Sequence, residues 1–243
     1  MLSKNQIKLI TSLKQKKYRQ NHGLFVAEGY KTIQELLQSS IELYHLYTTE
    51  PFNIDAKHQT LIENSDLKKI SFLKSPNTAL ALFKIPEPKP VATNELIVAL
   101  DDVRDPGNLG TIIRLCDWFG ITNLVCSEAT VDCYNPKVVQ ATMGSITRVN
   151  INYKPLNVFL ETCETETFGA FMDGENIYKK SLPKQGVIVM GNEANGISKD
   201  VENLVNSRIS IPRFGNIQAT ESLNVATATA ILLSEFKRAT IEK

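Results

Sequence analysis

The stretch LIVALDDVRDPGNLGTIIR, residues 96–114, predicts the fold class of most of this chain. Its first five residues are all apolar, as in a strand that is buried on both faces of a sheet. A polar loop with Pro106 and Gly107 follows, and an apolar helix is expected from Leu109. Strands and helices continue to alternate as far as residue 237. This rhythm predicts an α/β fold with a mostly parallel sheet that helices cover on both faces.

The same patterns predict an order of elements for the whole chain. We expect strands at residues 24–29, 43–48, 80–85, 96–100, 124–126, 149–153, 168–172, 187–190 and 209–211. We expect helices at residues 30–38, 66–73, 109–119, 136–143 and 223–237, after a first helix that starts with a capping box of Ser3 and Gln6.

Three prolines at alternate positions, Pro86, Pro88 and Pro90, predict an extended linker, because proline does not fit inside a helix. We therefore expect a small α/β domain at residues 1–85, a linker at 86–94 and a larger domain at 95–243. Residues 1–88 hold 12 Lys and Arg against 8 Asp and Glu, and the remaining residues hold 15 against 18. A basic first domain is typical of one that contacts phosphate, although ordinary solvated surface explains the charge equally well.

The cysteines and histidines argue against a metal site. The four cysteines form no CxxC pair, and the three histidines all lie within the first 58 residues. We therefore expect no zinc site and no disulfide framework. The chain also lacks an apolar signal core and a stretch long enough to span a membrane, so the sequence predicts a cytoplasmic protein with reduced thiols.

The first of three polar loops joins the strand at 96–100 to the helix that follows. Asn108 is expected to cap that helix. Arg114 lies among apolar residues of the same helix, where a guanidinium needs an anion or carbonyl groups to face. The alternatives are a ligand and an aspartate within residues 101–105.

The second loop, residues 191–198, places Glu193 between Gly191 and Gly196 after an apolar strand. Glycine permits close approach of the backbone to a ligand. A tight turn with Ser198 as the next helix cap explains the second glycine and the serine, but it leaves Glu193 without a role. The loop is neither a P-loop nor GxGxxG, so a dinucleotide site is not supported.

The third loop, IPRFGNIQATESLNVA at residues 211–226, carries more polar side chains than a helix start requires. Thr220 or Ser222 is expected to cap the last helix. A hydrolase nucleophile at Ser222 is disfavoured, because no histidine lies in residues 59–243 to act as its base.

Three sets of residues occur in order over residues 95–240: Asn108, Arg114 and Phe119-Gly120; then Met190-Gly191-Asn192-Glu193 and Gly196; then Ile211-Pro212 and Ser222-Leu223-Asn224-Val225-Ala226. Together they resemble the three motifs of the SpoU (TrmH-like) RNA ribose 2′-O-methyltransferases of the SPOUT class. Lys17-Tyr18-Arg19 and Phe25-Val26-Ala27-Glu28-Gly29 are similar to the L30e-like substrate-binding domain that many members carry.

The resemblance implies S-adenosylmethionine (AdoMet) as methyl donor, an RNA ribose 2′-hydroxyl as acceptor, an obligate homodimer and a deep trefoil knot near the C-terminus, which is a rare topology. It implies no metal and no membrane, and it favours ribosomal RNA, with 23S rRNA as the expected target, over transfer RNA. The implied catalytic residues are Asn108, Arg114, Glu193, Ser222 and Asn224. The implied cofactor-binding residues are Met190, Gly191, Asn192, Gly196, Ile211, Pro212 and Leu223.

Two points stay open at this stage. Arginine is a poor base in water because its pKa exceeds about 12, so Arg114 either pairs with a phosphate of the target nucleotide or removes the proton itself. The loop at 213–221 is longer than in shorter members of the family, so it is also open which of its residues contact AdoMet. From the charge of the first domain we also expect Lys16, Lys17 and Arg19 to contact the RNA backbone. An AdoMet- and RNA-binding module without catalysis is the alternative function.

Overall fold

The computed structural model describes residues 2–216 and 222–238. This part of the chain divides into two compact units. One contains the residues up to Glu87 together with Asp132–Thr147, and the other contains Pro88–Val131 and the residues from Arg148 onward. The segment Asp132–Thr147, which the sequence assigns to the larger domain, thus groups with the N-terminal residues. The boundaries expected at residues 85 and 95 stay predictions.

The helices and strands follow the predicted order. The first half contains α1 (Lys4–Ser12), α2 (Lys16–His22), β1 (Leu24–Glu28), α3 (Tyr30–Leu37), β2 (Leu43–Thr48), β3 (Gln59–Leu61), α4 (Asn64–Ile70), β4 (Ala79–Lys84), β5 (Leu96–Leu100) and α5 (Pro106–Trp118). The second half contains β6 (Asn123–Cys126), α6 (Pro136–Thr142), β7 (Asn150–Tyr153), α7 (Leu156–Glu161), β8 (Thr167–Asn176), β9 (Gly186–Met190), α8 (Lys199–Glu202), β10 (Ser207–Ser210) and α9 (Val225–Arg238). Strand β8 is longer than predicted, and β3, α2 and α7 are additions to the predicted elements.

The N-terminal unit has a four-stranded sheet in the order β1-β4-β2-β3, in which β4 runs antiparallel to β1 and β2. Helices α1 and α4 bury Ile10, Leu67 and Ile70 against apolar residues of these strands. The predicted capping box of α1 is confirmed, since the Ser3 hydroxyl accepts from the backbone N–H of Gln6 at 3.2 Å and the Gln6 side chain accepts from the backbone N–H of Ser3 at 2.8 Å.

Arg19 is a structural residue of this unit. Its side chain is only 2% exposed, and its guanidinium donates to the carbonyl oxygens of Leu13 and Lys14 at 2.8 and 3.0 Å. It also donates to the carboxylate of Asp132 in a short ion pair. A buried charge is tolerated only when it is paired in this way. Arg19 therefore ties the α1–α2 turn to the segment that carries α6, and its buried, paired guanidinium is not available for the RNA contact that the sequence predicted.

The second unit has a six-stranded, entirely parallel sheet in the order β10-β8-β9-β5-β6-β7. The central strands β5 and β9 are completely buried. Helices α7 and α8 pack on one face through Leu156, Phe159 and Val201. Helices α5 and α9 pack against each other, and Phe236 of α9 meets Phe168 of β8 edge to face. This confirms the predicted parallel sheet with helices on both faces, whereas the knot stays a prediction.

Because the strands are parallel, their carboxyl ends share one edge of the sheet, where ligands of α/β proteins bind. The three polar loops of the sequence emerge from this edge after β5, β9 and β10. The backbone N–H of Asp101 donates to the carbonyl of Met190 at 2.8 Å, so the first two loops start side by side. Among the described helices, none is both long and apolar enough to cross a membrane.

Candidate active site

Three predicted catalytic side chains meet in one hydrogen-bonded chain. The Asn108 amide donates from Nδ2 to Oε1 of Glu193 at 2.8 Å. Its Oδ1 accepts a hydrogen bond from Nδ2 of Asn224 at 2.9 Å. Asn108 lies in the first turn of α5, Glu193 in the loop after β9 and Asn224 just before α9, so the fold has brought together groups that lie far apart in sequence.

Helix capping explains why Asn108 is available for these bonds. The cap of α5 is Asp105, whose carboxylate accepts from the backbone N–H of Asn108 at 2.8 Å, with Pro106 in the first turn. The expectation that Asn108 is the cap is therefore wrong. Its side chain is left to bridge the other two loops.

The last helix is capped by Asn224, whose Oδ1 accepts from the backbone N–H groups of Ala226 and Thr227 at 3.0 and 3.2 Å. This corrects the assignment of that cap to Ser222, while Thr220, the alternative, lies outside the described residues. Asn224 thus uses its oxygen for the helix and its amide for Asn108. Such double use fixes the orientation of the side chain.

The second loop is a tight turn closed on itself. Asn192 and Gly196 exchange two backbone hydrogen bonds of 2.9 Å, and Oδ1 of Asn192 accepts from the backbone of Ala194 and Asn195. A Cβ on Gly191 would lie 2.2 Å from the carbonyl carbon of Gly196. Gly191 therefore allows its own backbone to pack directly against the backbone of Gly196. Glu193 is exposed at the tip of this turn.

Two aspartates, which the sequence offered only as partners for Arg114, hold the first two loops together. Asp101 is buried and accepts from the backbone N–H of Ser198 at 2.7 Å. Asp102 has a left-handed backbone, with φ of 58°, and its carbonyl accepts from Nδ2 of Asn192 at 2.7 Å. These long-range bonds fix the turn that carries Glu193. The signal in the sequence was a pair of aspartates directly after a buried strand.

Arg114 is exposed on α5 and has no ion-pair or hydrogen-bond partner within residues 2–216 and 222–238. The aspartates proposed as its partners are occupied elsewhere: Asp105 caps the helix, and Asp102 pairs with Arg104 at 2.7 Å. The internal partner that the sequence allowed is thus not found in the described chain. Arg114 is not bonded to the Asn108 chain either, and its cation faces solvent.

A cleft lies beside this chain of side chains, with a volume of about 1110 Å³. All seven predicted cofactor residues line it: Met190, Gly191, Asn192, Gly196, Ile211, Pro212 and Leu223. Glu193 and Ser222 line it too, and Ser222 has no hydrogen-bond partner in the part of the chain that the structure describes. Strand β8 adds Ala170, Phe171 and Met172, which the sequence did not indicate.

The predicted RNA-contacting residues lie in the N-terminal unit. Lys16 and Lys17 are exposed on α2, whereas Arg19 is buried. No group of His, Cys, Asp and Glu that could hold a metal ion occurs among the described residues.

Comparison with known proteins identifies the family to which this fold and site belong. The model of the SpoU rRNA Methylase family matches residues 95–234, and that of the MRM3-like substrate binding domain matches residues 4–81. The chain is 27% identical over 241 residues to the Bacillus subtilis 23S rRNA (guanosine(2553)-2'-O)-methyltransferase RlmP, a match that covers 95% of this chain and 96% of that one.

Solved structures agree over the whole length. An AdoMet-bound rRNA methyltransferase from Sinorhizobium meliloti is 28% identical, with a TM-score of 0.89 over all of this chain and 97% of that one. A protein from Porphyromonas gingivalis, assigned to the TrmH family of RNA methyltransferases, is 36% identical, with a TM-score of 0.87 over 98% of this chain and 99% of that one.

The fold and the site define an AdoMet-dependent RNA methyltransferase of the SPOUT class. Within that class, the chain belongs to the SpoU rRNA methylase family, as its three motifs indicated.

The cleft suits AdoMet. Its volume slightly exceeds the range of about 300–1,000 Å³ that is usual for small-molecule sites. Apolar side chains such as Ile211 and Leu223 would hold a purine ring, and the backbone of the turn at Gly191 and of residues 211–216 would offer polar atoms to the rest of the cofactor. When bound, AdoMet supplies an activated methyl group.

Proposed function

We propose that this chain methylates a ribose 2′-hydroxyl in 23S rRNA. The observation that carries the proposal is the bond between Asn108 and Glu193 at the edge of the cleft, because it sets a carboxylate beside the place of the methyl donor. The match of residues 4–81 to a substrate binding domain and the likeness to RlmP support a ribosomal target.

In this proposal some residues bind the RNA, and others orient the reacting hydroxyl. Arg114 pairs with a phosphate of the target nucleotide, as a guanidinium without a partner in the described part of the chain is suited to do. Glu193, whose Oε1 is already bonded to Asn108, accepts a hydrogen bond from the 2′-hydroxyl at Oε2. Asn224 holds Asn108 in the orientation that this requires. A hydroxyl that is held in line with the methyl group loses much of the entropic barrier to transfer.

Lys16 and Lys17 contribute to RNA binding through the charge of α2. Residues 2–27 contain six Lys and Arg, of which only Arg19 is buried, and no acidic residue before Glu28. Phosphate contacts of this kind position an RNA without reading its sequence.

A homodimer is also part of the proposal. Trp118 at the end of α5 is 84% exposed, on the same face of the helix as Arg114 one turn earlier. A large apolar side chain in this state is suited to a protein interface. Sedimentation equilibrium of the whole protein measures this directly, and a monomer at micromolar concentration would contradict it.

The experiment that tests the function uses unmodified RNA and methyl-labelled AdoMet. Large-subunit rRNA is expected to accept label at one ribose, which then resists alkaline cleavage, whereas small-subunit rRNA and transfer RNA are controls. A substrate with a deoxyribose at the mapped position must accept none. Label in transfer RNA alone would show that the substrate is transfer RNA and not ribosomal RNA. AdoMet binding without methyl transfer to any cellular RNA would favour the non-catalytic module.

A further inference from the structure

Phe214 lies at the lip of the cleft with 83% of its side chain exposed. It directly follows the cleft residues Ile211-Pro212-Arg213. An exposed phenylalanine contributes little to the core, because the hydrophobic effect is proportional to the apolar area that is removed from water. Exposed aromatic surface at the mouth of a binding cleft indicates contact with a ligand.

Tyr178 brings a second exposed ring to the same place. It belongs to the short 3₁₀ turn Ile177–Lys179 after β8, and 41% of it is exposed. Its ring centroid lies 6.3 Å from that of Phe214, with the two ring planes tilted by 36°. This separation lies within the range of aromatic pairs, so the two rings form one apolar surface at the lip.

The segment that carries Tyr178 is positively charged. Residues 177–186 contain three lysines and no acidic residue, in a region from 89 to 243 whose acidic residues outnumber its basic ones. Lys180 pairs with Glu175 at 2.7 Å, whereas Lys179 and Lys184 are exposed and have no ion pair in the described chain. Aromatic rings beside cations are what single-stranded nucleic acid requires, since bases stack and phosphates pair.

We propose that Phe214 and Tyr178 form a stacking platform for an unpaired base of the RNA substrate, with Lys179 and Lys184 facing its phosphates. The inference deepens the proposed function and rests on it for the identity of the RNA. Adenine of AdoMet is the competing occupant of an aromatic surface here. AdoMet carries a sulfonium cation, however, so free lysines favour a polyanion over the cofactor.

The test measures binding without catalysis. The probe is a single-stranded oligoadenylate of about 12 nucleotides, which fits the usual site size of such proteins. A matched probe has the same phosphates, but its central riboses lack bases. Phe214→Ala should weaken binding of the first probe roughly 5- to 150-fold, the effect of one lost stacking contact. The substitution should not change the affinity for the abasic probe. The wild type should bind the abasic probe as weakly as Phe214→Ala binds the full probe.

Further variants separate stacking from general packing. Phe214→Trp should keep the affinity and Phe214→Leu should not, because only the former retains a π face, and Tyr178→Ala should show a smaller loss. Val158→Ala, at a residue that is 52% exposed and does not line the cleft, is the control for surface area. If Phe214→Ala lost the same affinity for both probes, the proposed stacking platform would be wrong.

The affinity for AdoMet, measured by calorimetry, completes the design. It should be the same in Phe214→Ala as in the wild type, and a weaker affinity with unchanged oligonucleotide binding would assign Phe214 to the cofactor and overturn the proposal. Because neither readout needs methyl transfer, failure of the platform and failure of the proposed function give different results. Unchanged melting temperatures show that the variants are folded.

Discussion

Asn108 Nδ2 lies 2.8 Å from Oε1 of Glu193, although 85 residues separate them in the chain. This bond joins the first turn of α5 to the loop after β9. The Glu193 carboxylate is exposed, so the amide restricts its position without burying it. Orientation of the carboxylate is therefore the role that this contact supports.

Asn108→Ala should lower kcat for methyl transfer by about 10- to 100-fold, since a hydrogen bond to a charged group is worth about 1.5–3 kcal/mol. Glu193→Gln is expected to have a similar effect, and the double variant should be no worse than either single one. Single-turnover rates measure this coupling. Additive losses would mean that the two residues act independently. Thr111→Ala, on the same helix, is the control.

Arg114→Ala should reduce methyl transfer by about 10- to 100-fold, because it removes the charged contact that holds the target nucleotide by its phosphate, and such a contact is worth about 1.5–3 kcal/mol. The exposed position of Arg114 predicts an unchanged melting temperature and oligomeric state. Arg238→Ala, which removes another exposed arginine of the same unit, serves as the control. Transfer at the wild-type rate would remove Arg114 from the mechanism.

Leu223→Arg should raise the Kd for AdoMet at least about tenfold, because it places a charge and a long side chain in an apolar part of the cleft. Leu223 is 48% exposed, so the folded state tolerates the change. Isothermal titration calorimetry gives the affinity, and Val158→Arg is the control outside the cleft. If the Kd did not change, the cofactor would have to bind elsewhere.

The Lys16→Ala, Lys17→Ala double variant should flatten the salt dependence of RNA binding. Each phosphate contact contributes about 0.7–0.9 to the slope of log K against log salt, so the slope should fall by about 1.4–1.8. Filter binding at several salt concentrations measures it, with Lys57→Ala, Lys68→Ala as the matched pair. An unaltered slope would make these lysines ordinary surface. Arg19 is left out of this test because its loss would break a buried ion pair.

The parallel sheet and the cleft followed from the sequence because both depend on local patterns. Apolar runs such as Leu96–Leu100 predict buried strands wherever they occur, and strand ends of a parallel sheet place their loops at one edge. All seven residues expected at the cofactor site line one cleft for this reason. The resemblance to a family indicated which loops form the site, and the topology explains why these loops meet.

Contacts between distant residues could not be predicted in the same way. Arg19 looked like part of an exposed basic cluster, because Asp132 lies 113 residues further along the chain. Asn108 looked like a cap because capping rules rank asparagine with aspartate. Asp105 is followed by Pro106, which favours the first helical position, and this local signal decides between the two candidates.

Glu28 gives a prediction about stability and pH. Its carboxylate is only 5% exposed and accepts hydrogen bonds from the Ser71 hydroxyl and the backbone N–H of Phe72. Burial raises the pKa of Glu28 above its ordinary value near 4.5, and the two hydrogen bonds only partly oppose this. A raised pKa in the folded state means that the protonated form contributes stability below pH 4.5, and that this contribution is lost as the pH rises through the folded pKa.

Glu28→Gln should therefore gain thermal stability relative to the wild type as the pH rises from about 4 to 7, because glutamine stays neutral and keeps an acceptor for Phe72. Calorimetric melting temperatures at several pH values measure the difference. Glu63→Gln, at an exposed position of the same unit, is the matched control. A difference between Glu28→Gln and the wild type that is constant with pH would show that the pKa of Glu28 is the same in the folded and unfolded states, and that its two hydrogen bonds cancel the effect of its burial.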